Sequence, residues 1–326
     1  MFNRKVKIVL VQLGSPEKLS WWGLFKYLKE FLEDTRVIDL PKILWRPILY
    51  FFILPLRPSK SLKAYKRIYK NGFPLIINTE NFKKKLISYL PNYFEVEAVY
   101  LLNPPRAENV FQQWNLENAN IRADKVLVLP QFPQYAEATV AASIDRLALA
   151  LSNQVNIPHL EIITSYATSK AFIDNSVKQI AKFFKGTHVF LSFHGIPKRR
   201  VTEKHDIYQE ECEKTFACIQ KQLPHIPMTL CFQSRFGKEE WLKPYTSEIV
   251  NEYFINNKEA SIYSPSFVAD CLETTDELGH ELVEEVPGTL HFIPCLNDDD
   301  EWVKDYAHFV KTMIEGSLEE KRNLFY

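Results

Sequence analysis

The stretch THVFLSFHGIPKRR, residues 187–200, decides how this chain folds. From His188 to Phe193 nearly every residue is apolar or β-branched. That is the composition of a strand covered on both faces, and such strands belong to parallel sheets sandwiched between helices. His194, Gly195, Ile196 and Pro197 follow. Glycine and proline break the strand and leave His194 at its carboxyl end.

The same rhythm runs outward in both directions. Apolar runs predict strands at 5–13, 95–102, 125–132, 161–166, 188–193, 228–234, 261–266 and 289–295. Amphipathic stretches predict helices between them, among them AEATVAASIDRLALALSN (136–153), SKAFIDNSVKQIAKFFK (169–185) and YQEECEKTFACIQKQL (208–223). Alternation of strand and helix implies an α/β fold of parallel sheets with helices on both faces. A length of 326 residues is enough for two such domains. Periodicity is lost in LSNQVNIPHL, 151–160, which places the expected break there. The expected domains are therefore 1–152 and 153–297, with the last helix, in 298–326, packing back on the first.

Composition excludes several classes. Forty basic residues balance forty acidic ones, so no overall field favours nucleic acid. Nine glycines against nineteen prolines argue against glycine-rich phosphate loops, and neither G-x-G-x-x-G nor H-E-x-x-H occurs. The cysteines, Cys212, Cys218, Cys231, Cys271 and Cys295, are odd in number and contain no C-x-x-C pair. A disulfide framework or structural zinc site is not expected, and a reducing, cytoplasmic compartment fits best. The opening MFNRKVKIVLVQLGS has no small-residue cleavage site and reads as a first strand. The most apolar run, PILYFFILPL (47–56), is ten residues long, against about 20 for a spanning helix. It is either the end of a core helix or an apolar lip that touches a membrane or a greasy ligand.

In open α/β folds ligands bind beyond the carboxyl ends of strands. His194 stands at one such end, as do Ser15–Pro16, Gln131–Pro133, Gln233–Ser234 and Ser264–Ser266. Farther on, DCLETTDELGHELVEE carries Glu273, Glu277 and Glu281 at four-residue spacing, one face of an α-helix. Asp270 as N-cap with Glu273 in a capping box accounts for the first two acids. Glu277 and Glu281 form either a solvated face or part of a carboxylate file that handles cations or protons. A histidine and a carboxylate at strand ends suit an open site for a first-row metal such as iron. A lone histidine at a strand end is, however, more often a structural residue.

Taken together, LSFHGIP (191–197), CFQSRFGKEEWLKPYT (231–246) and VADCLETTDELGHE (268–281) resemble the signature stretches of the ferrochelatase family. The resemblance continues through VLVQLGSPE, ILPLRPSKSLKAYKRIY, LPQFPQYAEATVAASID and HFIPCLND, in order over nearly the whole chain. It implies insertion of Fe²⁺ into protoporphyrin IX, the last step of haem synthesis. It also implies two similar Rossmann-like domains with a porphyrin cleft between them. His194 and Glu273 are implied as the groups meeting metal and pyrrole protons. Asp270, Glu277 and Glu281 are implied as a path leading from them. Trp241, Arg57, Tyr208 and Ser234 are implied as pocket residues, Arg57 holding a propionate. Iron enters as substrate, with no resident cofactor. No cysteine follows Cys295, so a C-terminal iron–sulfur cluster is not expected. Location is expected to be cytoplasmic, peripheral to the inner membrane if 47–56 touches lipid.

The sequence also departs from the family pattern. Tyr100, Leu101 and Leu102 stand where an Arg-Tyr-Gly triplet is usual, ahead of Asn103 and Pro104. Phe73 replaces a common serine, and EKHDIY lacks a usual Gly-Asp-Pro. Arg106 is the nearby candidate to supply the lost positive charge. The alternative reading is a relative that binds porphyrin or haem with little insertion activity.

Overall fold

β1 (Val6–Gln12) is buried at all seven positions, Lys7 included. A strand this covered must be central, and the computed structural model, which describes residues 5–111, 125–154, 157, 159–237 and 239–326, places it so. α1 (Trp21–Glu33), α2 (Lys42–Ile48), α3 (Leu54–Ile68) and α4 (Pro74–Tyr89) lead to β2 (Phe94–Tyr100). β3 (Lys125–Pro130), α5 (Ala142–Ser152) and β4 (His159–Ile162) complete the first unit. Its sheet is parallel throughout, in the order β2-β1-β3-β4. The Lys7 ammonium reaches the Glu95 carboxylate at 3.3 Å, which answers the buried charge. Leu28, Leu32, Leu54, Val99 and Val128 are among the residues of the core on one side of this sheet.

The second unit repeats the plan. α6 (Lys170–Phe183), β5 (Val189–His194), α7 (Lys198–Thr202), α8 (Tyr208–Gln222), β6 (Met228–Gln233), α9 (Thr246–Phe254), β7 (Glu259–Tyr263) and β8 (Thr289–Phe292) give a parallel sheet in the order β6-β5-β7-β8. One face packs Phe190, Ile262, Val250 and Leu278. α10 (Asp300–Glu315), capped by the Asp299 carboxylate, packs on α6 and brings Trp302, Tyr306 and Phe309 against Tyr166 and Phe172. α11 (Leu318–Arg322) follows with a complete capping box between Ser317 and Glu320.

All eight expected strands are present. The domain limits differ from the expectation in two places. β4 pairs with β3 in the first sheet, Lys125 opposite His159, so the first unit extends to Thr164; part of the expected break, residues 155, 156 and 158, lies outside the described residues. The C-terminal helices belong to the second unit, because the apolar stripe of α10 matches the aromatic face of α6. The acidic stretch also differs: Glu273–Leu282 is a ten-residue π-helix, wider than the expected α-helix.

The 47–56 run and the residues just before it are partly buried in the core and partly exposed. Trp45, Leu49 and Leu54 are buried, whereas Ile43 (83% exposed), Phe51 (76%), Phe52 and Leu56 (74%) stand out in solvent on α2, the π-turn Leu49–Ile53 and α3. Among the described residues no helix is long and apolar enough to cross a membrane.

Candidate functional site

β5 delivers His194 at its carboxyl end, opposite Gln233 of β6. The His194 Nδ1 lies 2.7 Å from the Gly195 carbonyl oxygen. A carbonyl only accepts, so Nδ1 carries the proton in the neutral ring and Nε2 is the basic nitrogen. Burial lowers the His194 pKa below its ordinary 6.5, while the Glu273 carboxylate acts in the opposite sense. The imidazole is thus held neutral at pH 7 and ready to accept a proton or ligate a metal.

Gln233 joins this strand end to the acidic helix. Its buried amide donates to the Glu273 carbonyl at 3.1 Å, and its oxygen accepts from Ser192 Oγ at 2.8 Å. The next residue, Ser234, adopts a left-handed backbone (φ 65°) and turns its hydroxyl to Glu277 at 2.6 Å. Burial first, then the like charges of Glu273 and Glu281, raise the Glu277 carboxyl from 4.5 to about 7 against the Ser234 hydrogen bond. Glu281 is exposed, so the row runs from the neighbourhood of His194 to water.

Asp270 is not the cap of this helix. The helix begins after Leu272 with no side-chain cap. The Asp270 carboxylate instead accepts from Thr274 Oγ1 (3.1 Å), the Cys295 N–H (3.1 Å) and Asn297 Nδ2 (2.7 Å). It anchors the loop after β8 to the start of the helix, and the expected capping box with Glu273 does not form.

Trp241 bridges to Pro197 and lies against Gly195. A Cβ at Gly195 would come within 3.1 Å of the indole and 2.6 Å of the Gln233 carbonyl, so only glycine lets the three segments close. Tyr208 opens α8, and its buried hydroxyl donates to the His194 carbonyl at 2.8 Å. Arg57 stands on α3 of the first unit. In that unit Tyr100 donates its hydroxyl to Glu80 at 2.9 Å, and Leu101 and Leu102 are buried. Arg106 does not stand in for the missing arginine as a spare charge. It is held by both Glu30 oxygens, at 2.6 and 2.9 Å, and donates to the Leu101 carbonyl.

Among the described residues no three His, Cys, Asp or Glu side chains form a ready cage for a metal. His194 and Glu273 are close enough for the carboxylate to act electrostatically on the imidazole.

The sequence model of the ferrochelatase family matches residues 5–314. The chain belongs to the ferrochelatase family. Ferrochelatases insert metal into porphyrin, and this chain is an enzyme of that lyase class. A ferrochelatase of Brucella anthropi is 36% identical over 96% of this chain and 93% of its own length. One of Acinetobacter baylyi is 36% identical over 97% and 95%. Among solved structures, SirB from Bacillus subtilis with Fe³⁺ superposes over 99% of both chains with a TM-score of 0.55 at 11% identity. CbiX, the terminal enzyme of sirohaem synthesis in denitrifying bacteria, gives 0.51 at 14% identity over 95% of this chain and 99% of its own. Those two likenesses concern the fold.

Sequence reasoning placed Gln233 and Ser266 at ligand-facing strand ends without giving them a role, and did not single out Thr274 or Asn297. For the first two a signal existed, polar residues ending apolar strands. Asn297 pairs with Asp270 across 27 residues, which no local pattern foretells.

Proposed function

We propose that this ferrochelatase inserts Fe²⁺ into protoporphyrin IX, with His194 and Glu273 acting on metal and pyrrole protons. The observation that carries the reading is the contact of His194 Nδ1 with the Gly195 carbonyl oxygen, which leaves Nε2 to act as the base. Insertion of a dication releases two protons from the pyrrole nitrogens. A neutral imidazole takes a proton, and the Glu273 carboxylate stabilises both the resulting imidazolium and the approaching metal. Glu277, with a pKa of about 7, binds and releases protons at neutral pH, and exposed Glu281 passes them to water. Asp270 fixes the base of the acidic helix through its three hydrogen bonds. Trp241 walls the pocket beside His194, Ser234 orients Glu277, and Arg57 pairs with a propionate. Iron is substrate, and neither a resident cofactor nor an iron–sulfur cluster takes part. The enzyme works in the cytoplasm with the exposed apolar surface around Phe51 and Phe52 resting on a membrane.

An anaerobic steady-state assay with Fe²⁺ and protoporphyrin IX tests the reading. Turnover is expected with the wild type and loss of it with His194→Ala, porphyrin binding persisting in both. More than a tenth of the wild-type kcat in His194→Ala would remove the role given to His194.

A second reading, a porphyrin carrier, draws on one observation. Leu101 and Leu102 are buried and apolar, Tyr100 is bonded to Glu80, and the nearby Arg106 is already neutralised by Glu30. Tight porphyrin binding without metallation above the uncatalysed rate would select it.

A further inference from the structure

β5 loses its neighbour before it ends. Its register with β7 stops at Leu191 opposite Tyr263, while its register with β6 continues to His194 opposite Gln233. The Ser192 carbonyl and the His194 backbone groups that face β7 therefore lack ladder partners, and buried backbone groups must find others. Side-chain hydroxyls take them. Ser264 Oγ donates to the Ser192 carbonyl at 2.7 Å. The His194 N–H donates to Ser266 Oγ at 3.1 Å, and Tyr208 Oη donates to the His194 carbonyl at 2.8 Å. Ser266 Oγ and Tyr208 Oη are 2.8 Å apart. The tyrosine proton is engaged with the carbonyl, so the serine hydroxyl donates to the tyrosine oxygen. The result is a closed ring of hydrogen bonds through both backbone groups of His194.

The ring draws on three separate segments: the end of β5, the loop after β7 and the first residue of α8. It is dry. Tyr208 is 5% exposed and Ser266 is 8% exposed. Tyr208 is itself fixed at its backbone, its N–H donating to the Asp206 carboxylate at 2.9 Å. A buried, engaged phenol of this kind has no hydrogen left to offer a substrate.

We infer that Tyr208 and Ser266 are positioning residues that fix the His194 imidazole by clamping its main chain, and that Tyr208 is not a porphyrin contact. This rests on the reading of His194 as the group that meets metal or pyrrole proton. A side chain whose backbone can rock loses the short approach that the reaction needs, and misplacement by about 1 Å costs on the order of a hundredfold in rate.

The experiment compares Tyr208→Phe, Ser266→Ala, the double variant, Ser266→Thr and His194→Ala in the Fe²⁺ and protoporphyrin IX assay, with porphyrin affinity read by fluorescence quenching. Tyr208→Phe and Ser266→Ala are expected to lower kcat roughly ten- to hundredfold, with porphyrin affinity within about twofold of wild type. The double variant should be no worse than the worse single one, since both break one ring. Ser266→Thr keeps the hydroxyl and should recover most of the rate. Wild-type kcat in both single variants, beside an inactive His194→Ala, overturns the inference alone; an active His194→Ala overturns the site reading beneath it. A rise in porphyrin Kd with kcat unchanged also overturns it, by making Tyr208 a substrate contact. Hydrogen exchange on the wild-type enzyme gives a check that needs no variant. The His194 amide should be protected like the ladder amides of β5, and exchange at the rate of an open loop would defeat the proposal.

Discussion

Glu277 shows what a single side chain contributes here. Its carboxyl is raised from 4.5 to about 7, so between those values the folded protein holds a proton that the unfolded chain has released. Stability attributable to this group is therefore full below pH 4.5 and is lost as pH rises through 7. Glu277→Gln should flatten that slope and gain up to about 3 kcal/mol over the wild type at pH 8, read as a shift in urea midpoint at fixed pH. His194 runs the other way. Its pKa is lowered by burial, so protonation penalises the folded state only as pH drops below its ordinary 6.5. The acid limb of kcat/KM should accordingly lie below 6.5, and a limb above it would contradict the neutral imidazole. His194 itself was legible in the sequence, because glycine and proline mark a strand end wherever they follow an apolar run. The ring that holds it was not. Tyr208 and Ser266 are 14 and 72 residues away, and only the paths of α8 and β7 bring them back.

At the scale of elements, the ends of β5 and β6 and the segment carrying Trp241 are tightly fitted. Gly195→Ala places a methyl group 2.6 Å from the Gln233 carbonyl, and a backbone atom cannot step aside as a flexible side chain does. The substitution should cost about 1–3 kcal/mol in thermal or urea unfolding and reduce kcat more than porphyrin affinity. The spacing of Glu273, Glu277 and Glu281 was plain from the sequence, but their π-helical path was not, since i→i+5 bonding has no side-chain signature as direct as an apolar stripe. The α2–α3 segment poses a different question, having large apolar side chains in water. Phe51→Ser with Phe52→Ser should lower sedimentation with vesicles of phosphatidylethanolamine and phosphatidylglycerol by roughly tenfold or more while leaving the melting temperature unchanged. A fall in melting temperature instead would mean that these rings stabilise the fold itself.

For the whole molecule, strand–helix alternation was enough to foresee two parallel sheets, and it failed at their borders. β4 is half-exposed and four residues long, too weak a pattern to declare which sheet it joins. α10 is amphipathic, but a stripe says that a helix packs, not on what. Its partner became visible only with the Trp302, Tyr306 and Phe172 rings in contact. Trp302→Ala should cost about 3–5 kcal/mol in the unfolding of the second unit and far less in the first, a difference that hydrogen exchange resolved by segment would detect. The repeated strand order gives the two halves equivalent central strands. β1 and β5 hold the same rank in their sheets, so Gln12 ends one strand where His194 ends its counterpart. Strand order alone does not distinguish the two halves. The two termini differ in chemistry, an amide at Gln12 that cannot take up a proton at neutral pH and an imidazole at His194 that can.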